Sequence, residues 1–408
     1  MKSLAVCLAI LAALMSSEAL RGDWQGDDKT AALADSADRF ALDLYKRAGS
    51  ADQNLIFSPY SVDTALLMTY AGASGDTAAE MAAVLHLPQG LAPADLHQAA
   101  GKLIARFQTA ADHTPATLRV ANALWAQQGA QWLPPFLDLL GKNYQAKLAT
   151  MDFVHAAEES RKTINDWVAQ QTAGKIRDLI GPGVLSGDTR LVLTNAVYFK
   201  ADWQDPFEKF STRDGDFHAG GKPETVKTSL MHRTGGVLFM QDDQLQAIQM
   251  PYVGDDLAML VLLPRSVDGL AAMESKLDQQ MLGHVVAGLS IAQVAIALPK
   301  FKIEQRLALG STLRAMGMDK AFDPHQADFS AMDGERDLVI SDALHQAYVA
   351  VDEKGTEAAA ATGIIVGATA IMPSLEAFDA DHPFVYLIRD TKTGVILFMG
   401  RVQDPRQP

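Results

Sequence analysis

No array of side chains in this sequence assembles a recognisable catalytic centre. The nearest approach to a nucleophile elbow, Gly72-Ala73-Ser74-Gly75-Asp76, fails at its last position, where the sharp turn needs a second glycine. The ten histidines include no pair at the four-residue spacing that would put two imidazoles on one helix face to hold zinc. Neither a dinucleotide-binding G-x-G-x-x-G nor a phosphate-cradling G-x-x-x-x-G-K is present. No catalytic residue, metal or cofactor is therefore expected, and any chemistry falls to a partner. The segment that stands out is 352–372, DEKGTEAAAATGIIVGATAIM. Glu357 and the alanines 358–361 favour helix, whereas Gly363 breaks it and Ile364, Ile365 and Val366 favour strand. Taken two by two, Thr356, Ala358, Ala360, Thr362, Ile364 and Val366 form a face fit for the inside of a sheet. The opposite face begins with Gly355 and Glu357 and suits solvent.

The elements around this segment are legible in outline. Leu33, Ala37, Phe40, Leu44 and Tyr45 recur at helical spacing and predict a helix ending near Gly49. Ser58-Pro59 marks a second helix start, with Ser58 as cap and Pro59 in the first turn. A third helix is predicted over Glu158 to Gln171, with Gly174 as its stop. Leu191 to Phe199 is apolar on both faces except at Thr194 and Asn195, as in a covered central strand. Leu257–Leu263 and Val294–Leu298 predict shorter strands. Phe384–Ile388 and Val395–Met399 flank a polar turn and predict a terminal hairpin. Helices crowd the first half and strands the second, which favours an α+β fold over a doubly wound sheet.

Composition narrows the function classes. The chain has 408 residues, a hydrophobic fraction of 48% and a charged fraction of 21%, which fits a folded globular protein. Its net charge of -14 repels phosphate, and residues 86–110 hold only Lys102 and Arg106, so neither nucleic acid nor a heparin-like polyanion is an expected partner. Residues 1–19 read as an export signal: Lys2, an apolar run from Leu4 to Met15, then Ser17-Glu18-Ala19 as a cleavage site. The run is short of the roughly 20 residues that span a bilayer, so no membrane anchor is expected. Cleavage would remove Cys7, the only cysteine, and leave a disulfide-free monomer in a periplasmic or extracellular location. A polar lead, 20–30, precedes a single domain over 31–408, with no linker or repeat to divide it.

Several motifs together resemble the serpin family of protease inhibitors. They are Asn54-Leu55-Ile56-Phe57-Ser58-Pro59-Tyr60-Ser61; Ile164-Asn165-Asp166-Trp167-Val168 followed by Thr172-x-Gly174-Lys175-Ile176; Leu193-Thr194-Asn195-Ala196-Val197-Tyr198-Phe199-Lys200 with Trp203 and Pro206-Phe207; Leu298-Pro299-Lys300-Phe301; and Asp381-His382-Pro383-Phe384. The run Glu353-Lys354-Gly355-Thr356-Glu357-Ala358-Ala359-Ala360-Ala361-Thr362 is similar to the family's loop hinge at every position. The resemblance implies three β-sheets, eight or nine helices and an exposed reactive-centre loop at about 353–378. It implies inhibition by a suicide-substrate route, in which a protease attacks the loop and forms an acyl-enzyme. The cut loop, hinged at Gly355, then enters the main sheet as a new strand.

By family geometry the bond attacked is Thr369–Ala370, fourteen residues on from Gly355. At ~3.3 Å per residue that stretch spans roughly 46 Å, enough to carry a tethered protease to the far end of a sheet. No Arg or Lys lies between Gly355 and Leu375, and the small Ala368 and Thr369 suit elastase-like or subtilisin-like serine proteases, with papain-like cysteine proteases second. Carried over residue by residue, Ser58, Ser61, Asn195 and His345 match a polar cluster that controls sheet opening. Trp203, Lys300 and Glu353 match the group where insertion starts, with a Lys300–Glu353 ion pair expected. The rival expectation within the family is a non-inhibitory member acting as a binding or chaperone-like protein; the small, uncharged alanine hinge argues against it.

Overall fold

The computed structural model describes residues 26–112, 116–146, 148–356 and 375–407, so the export segment 1–19 with Cys7 lies outside the described residues. The first half runs α1 Asp28–Tyr45, β1 Leu55–Phe57, α2 Pro59–Tyr70, α3 Gly75–Val84, α4 Pro93–Asp112, β2 Thr117–Gln127, α5 Pro134–Leu139, β3 Leu148–Met151, α6 Phe153–Gln171 and β4 Leu191–Asp202. The second half runs β5 Arg213–Phe217, β6 Val226–Gln241, β7 Leu245–Pro251, β8 Leu257–Pro264, α7 Leu270–Lys276, α8 Gln279–Gly288, β9 Ser290–Pro299, β10 Phe301–Ala308, α9 Leu309–Ala315 and α10 Ser330–Asp333. It closes with β11 Ile340–Asp352, β12 Gly355–Thr356, β13 Glu376–Asp379, β14 Phe384–Asp390 and β15 Ile396–Val402. Among the described residues, eight of these helices are seven residues or longer, and the fold is α+β as expected.

Nine strands form one sheet: eight follow the hydrogen-bonded path β1-β15-β14-β8-β7-β6-β9-β13, and β5 pairs with β6 off that path. The sixteen-residue β6 is shared: its start pairs with β5, its later part with β9, and its end with β7. The third sheet expected from the family is thus continuous with the second through one strand. The terminal hairpin pairs antiparallel, Phe384 opposite Val402.

The other sheet has the order β10-β11-β12-β4-β2-β3. Its centre is a seam where β11 and β4 pair directly and in parallel, from Ile340 opposite Leu191 to Tyr348 opposite Tyr198. Beyond that pair the two strands part, and β12 lies between them. Both faces of β4 are covered, which explains its unbroken apolar run. Leu193, Val197 and Phe199 face the main core with the helices α1 and α2. Val192, Ala196 and Leu344 face the opposite way, against Ile164 and Val168 of α6.

Local signals account for the helix starts. Ser58 caps α2, its Oγ accepting from Ser61 N–H at 3.3 Å, and Pro59 occupies the first turn. Asp27 caps α1, accepting from Thr30 N–H at 3.0 Å. The helix expected from Glu158 is preceded by a separate turn, Phe153–His155, which Asp152 caps through His155 N–H; Ala156, with φ -140° and ψ 45°, breaks the helix between the two. The carboxylate sits ahead of the apolar stripe, where periodicity alone does not reach.

Candidate functional site

The strand row at the middle of the seam carries two amides and an imidazole side by side. Asn122 on β2 is the register partner of Asn195 on β4, which in turn is the partner of His345 on β11. All three point to the inner face, where the first turn of α2 brings Ser58 and Ser61. Asn195 Nδ2 donates to Ser61 Oγ and to Asn122 Oδ1, both at 2.5 Å, and Ser61 Oγ donates to Asn122 Oδ1 at 2.9 Å. Asn195 Oδ1 accepts from His345 Nδ1, and His345 Nε2 accepts from the Ser58 backbone N–H at 3.0 Å. These partners fix the imidazole as the neutral Nδ1–H tautomer, because a proton on Nε2 would face another N–H. Burial of the fully enclosed ring pushes its pKa down to about 3. The four residues expected to cluster therefore meet. Sequence reasoning missed Asn122, whose signal was a lone amide in the apolar stretch Ala121–Trp125.

The second group lies where β4 and β11 part. Lys300 Nζ sits 3.0 Å from Glu353 Oε2, and the Glu353 side chain is only 7% exposed against 40% for Lys300. Burial alone would raise the Glu353 carboxyl. Its own backbone N–H, Lys300 and the Thr212 hydroxyl at 2.8 Å outweigh that and hold it below the usual range. Trp203 Nε1 donates to the Asp352 carbonyl at 3.1 Å, while Trp203 N–H donates to the Lys354 carbonyl and Phe207 N–H to the Glu353 carbonyl, both at 2.7 Å. The turn Glu353–Lys354 is thus fastened from three sides.

After that turn the chain folds back into the sheet. Gly355 and Thr356 pair antiparallel with Asp352 and Val351 on one side and with Asp202 and Ala201 on the other. This differs from the expectation of a hinge at Gly355: the first two residues of the loop are already seated in the seam. Glycine is required at 355 for close approach, since a Cβ there would overlap the Ala201 carbonyl oxygen. Thr356 is fully buried, and its Oγ1 lies 2.8 Å from the hydroxyl of Tyr252, itself fully buried. Burial pushes the Tyr252 hydroxyl well up, so it stays protonated. Its ring stacks on Trp203 with centroids 4.6 Å apart at 8°. Tyr252 and Thr212 carried no sequence signal, because both come from the other sheet's strands and connections. Glu357, Ala358, Ala359, Ala360, Ala361 and Thr362 of the hinge, and Thr369 and Ala370 of the expected bond, lie outside the described residues.

Among the described residues no group of three or more His, Cys, Asp or Glu could hold a metal ion, and no helix is long and apolar enough to cross a membrane. The site is a closed parallel seam that parts only at one end, where two residues are already seated between the strands, with a row of polar side chains across the closed part.

The family model for serpins, described as serine protease inhibitors, matches residues 35–405. An uncharacterised serpin-like protein of Thermococcus kodakarensis is 38% identical over 384 residues, covering 94% of this chain and 87% of its own length. The human leukocyte elastase inhibitor is 36% identical over 387 residues, covering 91% of this chain and 99% of its own. Among solved structures, Serpin48 of the insect Tenebrio molitor superposes with a TM-score of 0.82 at 31% identity, covering 93% of this chain and 100% of that one. Maspin superposes with a TM-score of 0.86 at 25% identity, with the same coverage. Matched by that model over nearly all of its described length and by relatives more than a third identical to it, the chain belongs to the serpin family.

Proposed function

We propose that this chain is an exported inhibitor of serine proteases with elastase-like or subtilisin-like specificity. The protease nucleophile attacks the Thr369 carbonyl, an acyl-enzyme forms, and Ala370 leaves as a new amino terminus. The freed strand then enters the seam between β4 and β11, and distortion of the tethered protease stalls deacylation. Papain-like cysteine proteases form the same kind of intermediate and are the second target class. Export rests on the 1–19 segment, and the small residues around 369 support the specificity, as does the name of the human relative that inhibits an elastase.

The observation that carries this reading is the register of β12. Thr356 lies opposite both Val351 and Ala201. Continued in that register, residue 359 would fall between Tyr198 and Tyr348, and residue 362 between Asn195 and His345. Thr356 points inward to Tyr252, so Ala358, Ala360 and Thr362 would point inward as well, and Glu357 outward to solvent. Thr362 would arrive where the His345–Asn195 bond must part, carrying a hydroxyl able to replace it.

The test is to mix the purified protein with elastase, subtilisin, trypsin and papain and separate the products under denaturing conditions with mass analysis. A covalent complex plus a released peptide Ala370–Pro408 is the expected result. A different peptide would keep the mechanism and move the bond. Clean cleavage without a complex for every protease would sink the inhibitory reading in favour of a non-inhibitory binding member of the family.

A further inference from the structure

The turn that ends α6 serves neither the polar row nor the insertion-start group. Thr172 is buried; its hydroxyl donates to the Val168 carbonyl at 2.8 Å and accepts from Ile176 N–H at 3.2 Å. Ala173 and Gly174 take φ values of 52° and 74°, which reverses the chain, and Ile176 is buried in the outer cluster. Lys175 is thereby held, exposed, above the outer face of the six-stranded sheet. Its Nζ lies 5.7 Å from the ring centroid of Tyr198 and 5.7 Å from that of Tyr348. Those two rings, 6.4 Å apart, belong to the last directly paired residues of the seam, one from each strand. Lys302 of the neighbouring β10 adds a second ammonium 5.4 Å from the Tyr348 ring.

We propose that Lys175 is a positioning residue that clasps the β4–β11 seam from its outer face and must let go before a strand enters. The inference rests on the insertion reading of the loop. An ammonium within about 6 Å of an aromatic centroid is attracted by the ring's negative face, and here one ammonium is shared by rings on the two strands that must separate. An entering strand moves those strands from one spacing to two, roughly 9.6 Å. In the register set by Thr356 it sets the side chain of residue 359 between the rings, so one ammonium no longer caps both. The clasp therefore exists only while the seam is closed. It stabilises the uninserted form and contributes nothing to the inserted one, which separates it from an ordinary surface contact.

The test compares the full-length wild type with Lys175→Met, which keeps the aliphatic stem, and Lys175→Arg, which keeps the cation. Two quantities are read. One is the rate at which the uncleaved protein converts on warming to a form that no longer traps protease. The other is the unfolding temperature after the loop has been cut by a non-target protease. Lys175→Met is expected to convert about five- to tenfold faster, as the loss of two ring contacts implies, with Lys175→Arg within about twofold of wild type. The cleaved forms of all three should unfold at the same temperature. Equal conversion rates for wild type and Lys175→Met would overturn the clasp, as would an equal loss of stability in the cut and uncut forms. If cutting the wild-type loop raises its unfolding temperature not at all, the insertion reading itself falls, and the clasp falls with it.

Discussion

The hydroxyls of Thr356 and Tyr252 lie 2.8 Å apart, and neither side chain is exposed to solvent. The first inward-facing residue of the loop therefore has its final partner before any protease arrives. Starting from a seated residue removes the step in which the strand ends must be prised apart, and insertion has to outrun hydrolysis of the acyl bond.

Thr356→Arg tests that starting point. A guanidinium has no partner in the slot and burying it unpaired costs several kcal/mol, so the hinge must leave the sheet. The fold should persist while the protein turns from inhibitor to substrate, with at least about tenfold more protein consumed per protease inactivated. Titration of residual protease activity reads this number. A Thr356→Arg protein that traps as efficiently as wild type would refute insertion that starts from a seated Thr356.

The alternation set by β12 predicts opposite outcomes at adjacent alanines. Ala360→Asp places a carboxylate on the inward face, where burial without a partner costs several kcal/mol, and should abolish complex formation. Ala359→Asp would lie on the outer face between Tyr198 and Tyr348, beside the Lys175 and Lys302 ammoniums, and should leave most of it. Equal effects at the two positions would mean the strand enters in another register.

Breaking the polar row should loosen the seam. Asn195→Ala leaves Ser61, Asn122 and His345 short of partners, a loss of about 1–3 kcal/mol, and should accelerate thermal conversion of the uncleaved protein. Acid should act on the same row. His345 titrates at about 3 when folded, against about 6.5 in an unfolded chain, so the unfolded state binds the extra proton between these values. Stability is therefore full above pH 6.5 and falls toward pH 3, by up to about 1.4 kcal/mol per unit. Urea midpoints at a series of pH values give the slope, and a flat profile over this window would contradict a buried neutral His345.

Glu353 has the opposite titration class but the same sign. Its folded pKa is depressed, so its contribution is present above the ordinary glutamate value of about 4.3 and is lost as pH falls through the folded value. Lys300→Met should cost only about 1 kcal/mol, because Lys300 is partly exposed and Thr212 remains bonded to the carboxylate. Comparing thermal midpoints of wild type, Lys300→Met and Glu353→Gln at pH 7 and pH 3 checks both. The Glu353→Gln difference should shrink at the lower pH.

What the sequence by itself determined is local. Ser58-Pro59 caps and starts α2 because a hydroxyl and a fixed φ act within one turn. The run 191–199 becomes a central strand because both its faces are apolar, and Asn195 stands out in it for the same reason. Tertiary pairing also overrides weak local preference: β6 runs through Gly235-Gly236 because both glycines pair with β9, opposite Val294 and Gln293. Gly101 weakens the local helix preference of α4, but a Cβ there would come within 2.8 Å of the Asn143 carbonyl, so packing against a distant segment selects it. Only the tertiary structure decided that Tyr252 meets Thr356, that Lys175 bridges Tyr198 and Tyr348, and that Gly355 and Thr356 already lie in the sheet. Each of these contacts joins residues carried on different elements, most of them separated by many tens of positions. Their energy depends on three-dimensional register and burial, to which spacing along the chain is blind.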